Sequence, residues 1–78
     1  MPRYFFHIRT ANTLIRDHDG SDLPDLDAAR HEAGESARHL LAELLRNGQV
    51  LDGQVFEISD ESGKVLERLP FRSVIRLP

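Results

Sequence analysis

The chain has 78 residues, 40% hydrophobic and 29% charged, with no cysteine and a formal net charge of -3. This is globular composition, and the length fits one domain that buries roughly 60% of the surface its unfolded chain exposes, so the core must be thin. Disulfides, thiolate catalysis and cysteine-ligated metals are excluded, no apolar run is long enough to span a membrane, and the negative balance disfavours a large phosphate-binding surface.

Arg3 to Arg9, RYFFHIR, has the aromatic and β-branched character of a strand. Period two places Tyr4, Phe6 and Ile8 on a core face and Phe5, His7 and Arg9 on the other. The polar Thr10-Ala11-Asn12 segment turns the chain into a second short strand, Thr13 to Asp17, antiparallel to the first. Asp19-Gly20 then marks a turn.

Leu26 to Asn47 is the one segment long and periodic enough for a substantial helix. At about 100° per residue, Leu26, Ala29, Ala33, Ala37, Leu40, Leu41 and Leu44 gather into an apolar stripe with Leu45 at its edge. Asp25 is the expected N-cap, since its carboxylate can accept an unpaired backbone N–H, and Asn47-Gly48 marks the stop. Arg30 lies near the apolar arc, where its stem can cover a sheet edge while its guanidinium reaches an acid.

Gln54 to Asp60 and Lys64 to Leu69 read as a hairpin closed by Glu61-Ser62-Gly63. The expected register turns Phe56 and Ile58 to the core with Leu66 as their apolar companion. Pro70 should end the pairing, because it has no backbone donor. Residues 70–78 form a terminal tail that either covers the core or meets a partner, with Phe71 expected to fold inward. The order is β-β-α-β-β, an α+β fold with one long amphipathic helix on a small, mostly antiparallel sheet.

Four side-chain sets invite chemistry. Asp27, His31, Glu35 and His39 recur at four-residue spacing with metal-compatible types, but three helical turns cannot converge on one ion, and no H-E-x-x-H motif is present; helix-surface pairing is the better reading. Asp17, Asp19, Asp22, Asp25 and Asp27 lack the spacing and terminal glutamate of a calcium loop, so turn solvation and capping explain them. His7 has the ring chemistry of a general acid or base, yet Ser21, Ser36, Ser59, Ser62 and Ser73 lie in no nucleophile motif. Arg68, Arg72 and Arg76 make the C-terminal end locally basic, and their bland reading is a solvated edge.

Y-F-F-H-I-R at 4–9 and L-P-D-L-D-A-A-R at 23–30, continued by L-D-G-Q-V-F-E-I at 51–58, D-E-S-G-K-V-L at 60–66 and L-P-F-R at 69–72, resemble a small bacterial domain family with no established function. The resemblance covers nearly the whole chain. It implies a compact bacterial, cytoplasmic α+β domain and carries over no catalytic residue.

The expectation is one domain over residues 1–78 acting as a structural or protein-interaction module, with a second copy or another protein as partner. No cofactor, catalytic residue or metal ligand is assigned. The contact candidates are Phe5, Val55, Val65, Phe71, Val74, Ile75 and Leu77. A regulatory nucleic-acid binder and a metal-responsive protein or small enzyme are the alternatives, with nucleic acid disfavoured by charge.

Overall fold

The computed structural model describes residues 1–48 and 53–74. Its elements are β1 (Arg3–Arg9), β2 (Leu14–Ile15), β3 (Ser21–Asp22), α1 (Leu26–Arg46), β4 (Val55–Ser59), β5 (Val65–Pro70) and a single 3-10 turn, Phe71–Val74. The strands form one antiparallel sheet in the order β2-β1-β4-β5, and β3 pairs with the opposite end of β1 from β2. One helix lies on one side of this sheet, as its periodicity predicts, and the expected α+β fold is the one observed.

The helix ends are chemical. Asp25 Oδ1 accepts the backbone N–H of Ala28 at 2.8 Å, and the last turn closes at Asn47, whose N–H donates to the Glu43 carbonyl at 3.1 Å. Gly48 follows at φ 72°, a left-handed geometry that favours glycine. Along α1, Ala29, Ala33, Gly34, Ala37 and Leu41 are buried. Small residues at this spacing bring the helix axis close to the sheet, and the larger Leu26, Leu40 and Leu44 pack at the flanks. Leu45, at the edge of the stripe, is exposed.

Tyr4, Phe56, Ile58 and Phe71 complete the core, with Phe6, Ile8, Leu23 and Leu69 packed against it. The Phe56 and Phe71 rings lie 4.7 Å apart, and Phe6 meets Phe56 edge-on at 6.3 Å. Phe71 therefore folds inward, as expected, and is core rather than contact surface. The side chains of Val74, Ile75 and Leu77 lie outside the described residues.

Two parts of the sheet differ from the expected pattern. The predicted Thr13–Asp17 strand is confined to Leu14–Ile15, because the chain leaves β1 at Arg16 and returns at Ser21 to pair with Arg3 and Tyr4. The gap between β2 and β3 is filled by a side chain: Asp17 Oδ2 accepts the N–H of Phe6 at 3.1 Å, where a neighbouring strand would otherwise supply a carbonyl.

The second difference is the hairpin register. The turn fixes Asp60 opposite Lys64, through an Asp60 N–H to Lys64 carbonyl bond of 3.0 Å, and Ser59 stands opposite Val65. Continued regularly, that register would set Ile58 against Leu66, as the sequence reading expects. Instead the ladder shifts by one residue between Ile58 and Ser59, so Ile58 faces Glu67 and Phe56 faces Leu69. Leu66 is the extra residue and stays exposed, so Leu69 replaces it as the core companion. Pro70 is the last strand residue, opposite Val55. Because Phe71 donates its N–H to Gln54 at 2.9 Å, alternation puts Pro70 in a position whose N–H would point away from β4, so its missing donor costs no ladder bond.

Candidate functional site

Directly opposed residues in an antiparallel pair share a face, so the observed registers define the side of the sheet turned away from α1. Its first row runs from Phe5 on β1 to Ser59 on β4 and Val65 on β5; the second holds His7, Glu57 and Arg68; the third holds Arg9, Val55 and Pro70, with Leu14 beside Arg9. The bulge at Leu66 matters here. Without it Arg68 would oppose Phe56 on the helix side, whereas the shift turns Arg68 to the outer face and Leu69 inward.

The centre of this face is a buried carboxylate. Glu57 is only 5% exposed, although no described helix covers it. Arg9 Nε donates to Glu57 Oε2 at 2.8 Å, and Arg68 Nε approaches the same oxygen at 3.4 Å. The Arg9 hydrogen bond, reinforced by Arg9 charge and by Arg68, outweighs burial and holds the Glu57 carboxyl below the usual carboxylate range.

A second cluster occupies one corner. The backbone N–H of Asp17 donates to His7 Nδ1 at 3.0 Å, and His7 Nε2 lies 3.1 Å from Ser59 Oγ. A neutral ring accepting at Nδ1 carries its proton on Nε2, so His7 donates to the serine oxygen. Ser59 then has no base at its hydroxyl, and the Asp17 carboxylate is turned away, accepting from Phe6, Asp19 and Gly20 N–H groups. His7, Ser59 and Asp17 thus meet without the proton relay of a nucleophilic triad. The ring of Phe5 stacks on His7 with centroids 6.2 Å apart. These groups, with Arg16, Asp60 and the turn beyond it, line a shallow hollow of about 260 Å³.

The remaining sequence candidates are dispersed. Asp27 pairs with Arg30, and Glu35 with Arg38 at 2.6 Å, while His31 lies 4.0 Å from Glu35 and His39 is exposed. Arg30 also reaches Glu67 across the sheet edge, as its place beside the apolar arc predicts. Of the aspartates near the first turn, Asp22 pairs with Arg3, Asp25 caps the helix and Asp17 binds backbone. Among the described residues, no group of three or more His, Asp or Glu side chains is placed to hold a metal ion. None of the described helices is long and apolar enough to cross a membrane.

Of the contact candidates, Phe5, Val55 and Val65 share the outer face, and Phe71 is in the core on the opposite side. Glu57 is the residue that sequence reasoning missed, whereas it reads Asp17 and Ser59 only as a turn acid and as a serine outside any nucleophile motif, without their contacts to Phe6 and His7. The signal for Glu57 was its place between Phe56 and Ile58: alternation sends it to the outer face, where Arg9 and Arg68 stand within side-chain reach.

No curated protein and no solved structure matches the chain. A family model does match, described as a domain of unknown function (DUF6894), over residues 3–72, which takes in every strand and the helix. The chain therefore belongs to the DUF6894 family.

Proposed function

We propose that residues 1–78 act as one protein-interaction domain whose contact surface is the outer face of the sheet. The observation that carries this reading is the one-sidedness of the fold: α1 covers one face, while the other leaves Phe5, Leu14 and Val55 half-buried and Val65 exposed around the Arg9, Glu57 and Arg68 cluster. Apolar groups mixed with arginine and half-removed from water are the composition of a contact surface. The partner is a protein, a second copy being the simplest. The net charge of -3 works against a nucleic acid. The family resemblance supports a bacterial cytoplasmic setting.

The test is site-specific photo-cross-linking in the cells that make the protein, with the reactive group at Val55 on the outer face or at Glu32 on the solvent side of α1. A discrete adduct from Val55 and none from Glu32 is expected. Equal labelling from both positions, or adducts from Glu32 alone, would contradict the reading.

A further inference from the structure

Arg9 and Arg68 stand on β1 and β5, the two strands flanking β4, and reach inward to one oxygen of Glu57. Each uses only Nε to do so, and among the described residues neither has another partner. The Glu57 side chain is 6% exposed, whereas those of Arg9 and Arg68 are 52% and 69% exposed. The carboxylate is therefore buried beside two largely exposed arginine side chains whose Nη donors have no partner among the described residues. A guanidinium is a rigid planar fork, so holding it by Nε leaves its terminal nitrogens directed toward a second anion. Two cations sharing one buried anion also leave one unit of positive charge, which a single carboxylate would neutralise.

We infer that Arg9 and Arg68 form a seat for one carboxylate side chain, an Asp or Glu on an acidic segment of a partner protein laid across the outer face. Val55 and Pro70, in the same row as Arg9, supply the apolar contact that the methylene groups of such a side chain need. A polyphosphate is the poorer match, because the local excess is a single charge and the chain as a whole is negative. Glu57 is a positioning residue: it fixes both forks by Nε. The inference rests on the outer face being the interaction surface.

The experiment titrates the isotopically labelled full chain with an end-blocked tetraglutamate peptide and follows the Arg Nε–Hε and backbone amide resonances. Saturable shifts are expected at Arg9, Arg68 and the Val55 to Glu57 amides, with none from a tetraglutamine peptide. Arg68→Gln should weaken binding by about tenfold, the equivalent of one charge-assisted hydrogen bond. Because removing both arginines alone would orphan Glu57, the second variant is Arg9→Gln/Glu57→Gln/Arg68→Gln, which removes all three charges and should abolish the shifts.

Equal response to tetraglutamine, undiminished binding by the triple variant, or tighter binding of inorganic phosphate or a single-stranded oligonucleotide at the same resonances would overturn the carboxylate seat. The cross-linking experiment separates the two proposals. A Val55 adduct that persists in the triple variant removes the seat and leaves the interaction surface standing, whereas the absence of any wild-type adduct removes the surface itself.

Discussion

At the scale of single residues, Asp17 holds the first half of the chain together. Its two oxygens accept three backbone N–H groups, from Phe6, Asp19 and Gly20, and thereby close the edge of β1 between β2 and β3. Burial pushes its carboxyl upward, but those three donors and the nearby His7 more than reverse this and hold it below its ordinary value. A native carboxyl lower than its unfolded counterpart stabilises the fold fully above the ordinary range near about 4 and loses that contribution as pH falls through the native value. Glu57 has the same sign. Urea unfolding should therefore show stability falling as pH drops below about 4. Asp17→Asn, which cannot accept at both oxygens, should lose about 1–2 kcal/mol at neutral pH and respond less steeply to acid. Gly20 is the neighbouring constraint: it sits at φ 72°, and a Cβ there would come within 2.9 Å of both Arg3 Cγ and Phe5 Cε2 and 3.0 Å of the Tyr4 carbonyl. Gly20→Ala should cost about 1–3 kcal/mol by thermal or urea unfolding.

At the scale of elements, the helix and the faces of β1 were legible, because periodicity, the Asp25 cap and the Gly48 stop are local signals that tertiary structure did not override. The strand β3 was not, since two residues carry no period and Ser21–Asp22 becomes a strand only by meeting the start of β1. The bulge in β5 was equally invisible. Turn chemistry at Asp60 and Gly63 specifies one register, the core needs another, and one extra residue reconciles them. That conflict yields a sharp prediction. Deleting Leu66 leaves Val65 facing outward and Glu67 facing α1, so the melting curve by circular dichroism should remain cooperative and close to that of the parent chain. Deleting Glu67 closes the same ladder with Leu66 opposite Ile58 and Arg68 still opposite Glu57, so it too should stay cooperative. Deleting both Leu66 and Glu67, by contrast, sends Arg68 toward the helix side and should abolish the cooperative transition.

At the scale of the whole molecule, the thin core depends on the residue that follows the last strand. Phe71 is 2% exposed and packs on Phe56 with its ring tilted by 39°, so the end of β5 and its 3-10 turn close the layer between sheet and helix. Phe71→Ala should cost about 3–5 kcal/mol in urea unfolding, a large share of the about 5–15 kcal/mol typical of a domain. The sequence showed that Phe71 should turn inward because an apolar residue after a strand-ending proline has the core as its nearest shelter. It could not show that Glu57 would be buried beside two arginines, since that needs three strands in register.

The proposal that the outer face is the contact surface is tested most directly by the size at which the tagged protein elutes from an extract of its native cells. On size-exclusion chromatography of a cell extract, the parent chain and Leu45→Glu, altered on the exposed helix edge, should elute well above the 8.9 kDa monomer. Val55→Glu, altered in the middle of the outer face, should elute as the monomer with its melting curve intact. Retention of the complex by Val55→Glu together with its loss in Leu45→Glu would contradict the assignment of the outer face and move the contact surface to the helix.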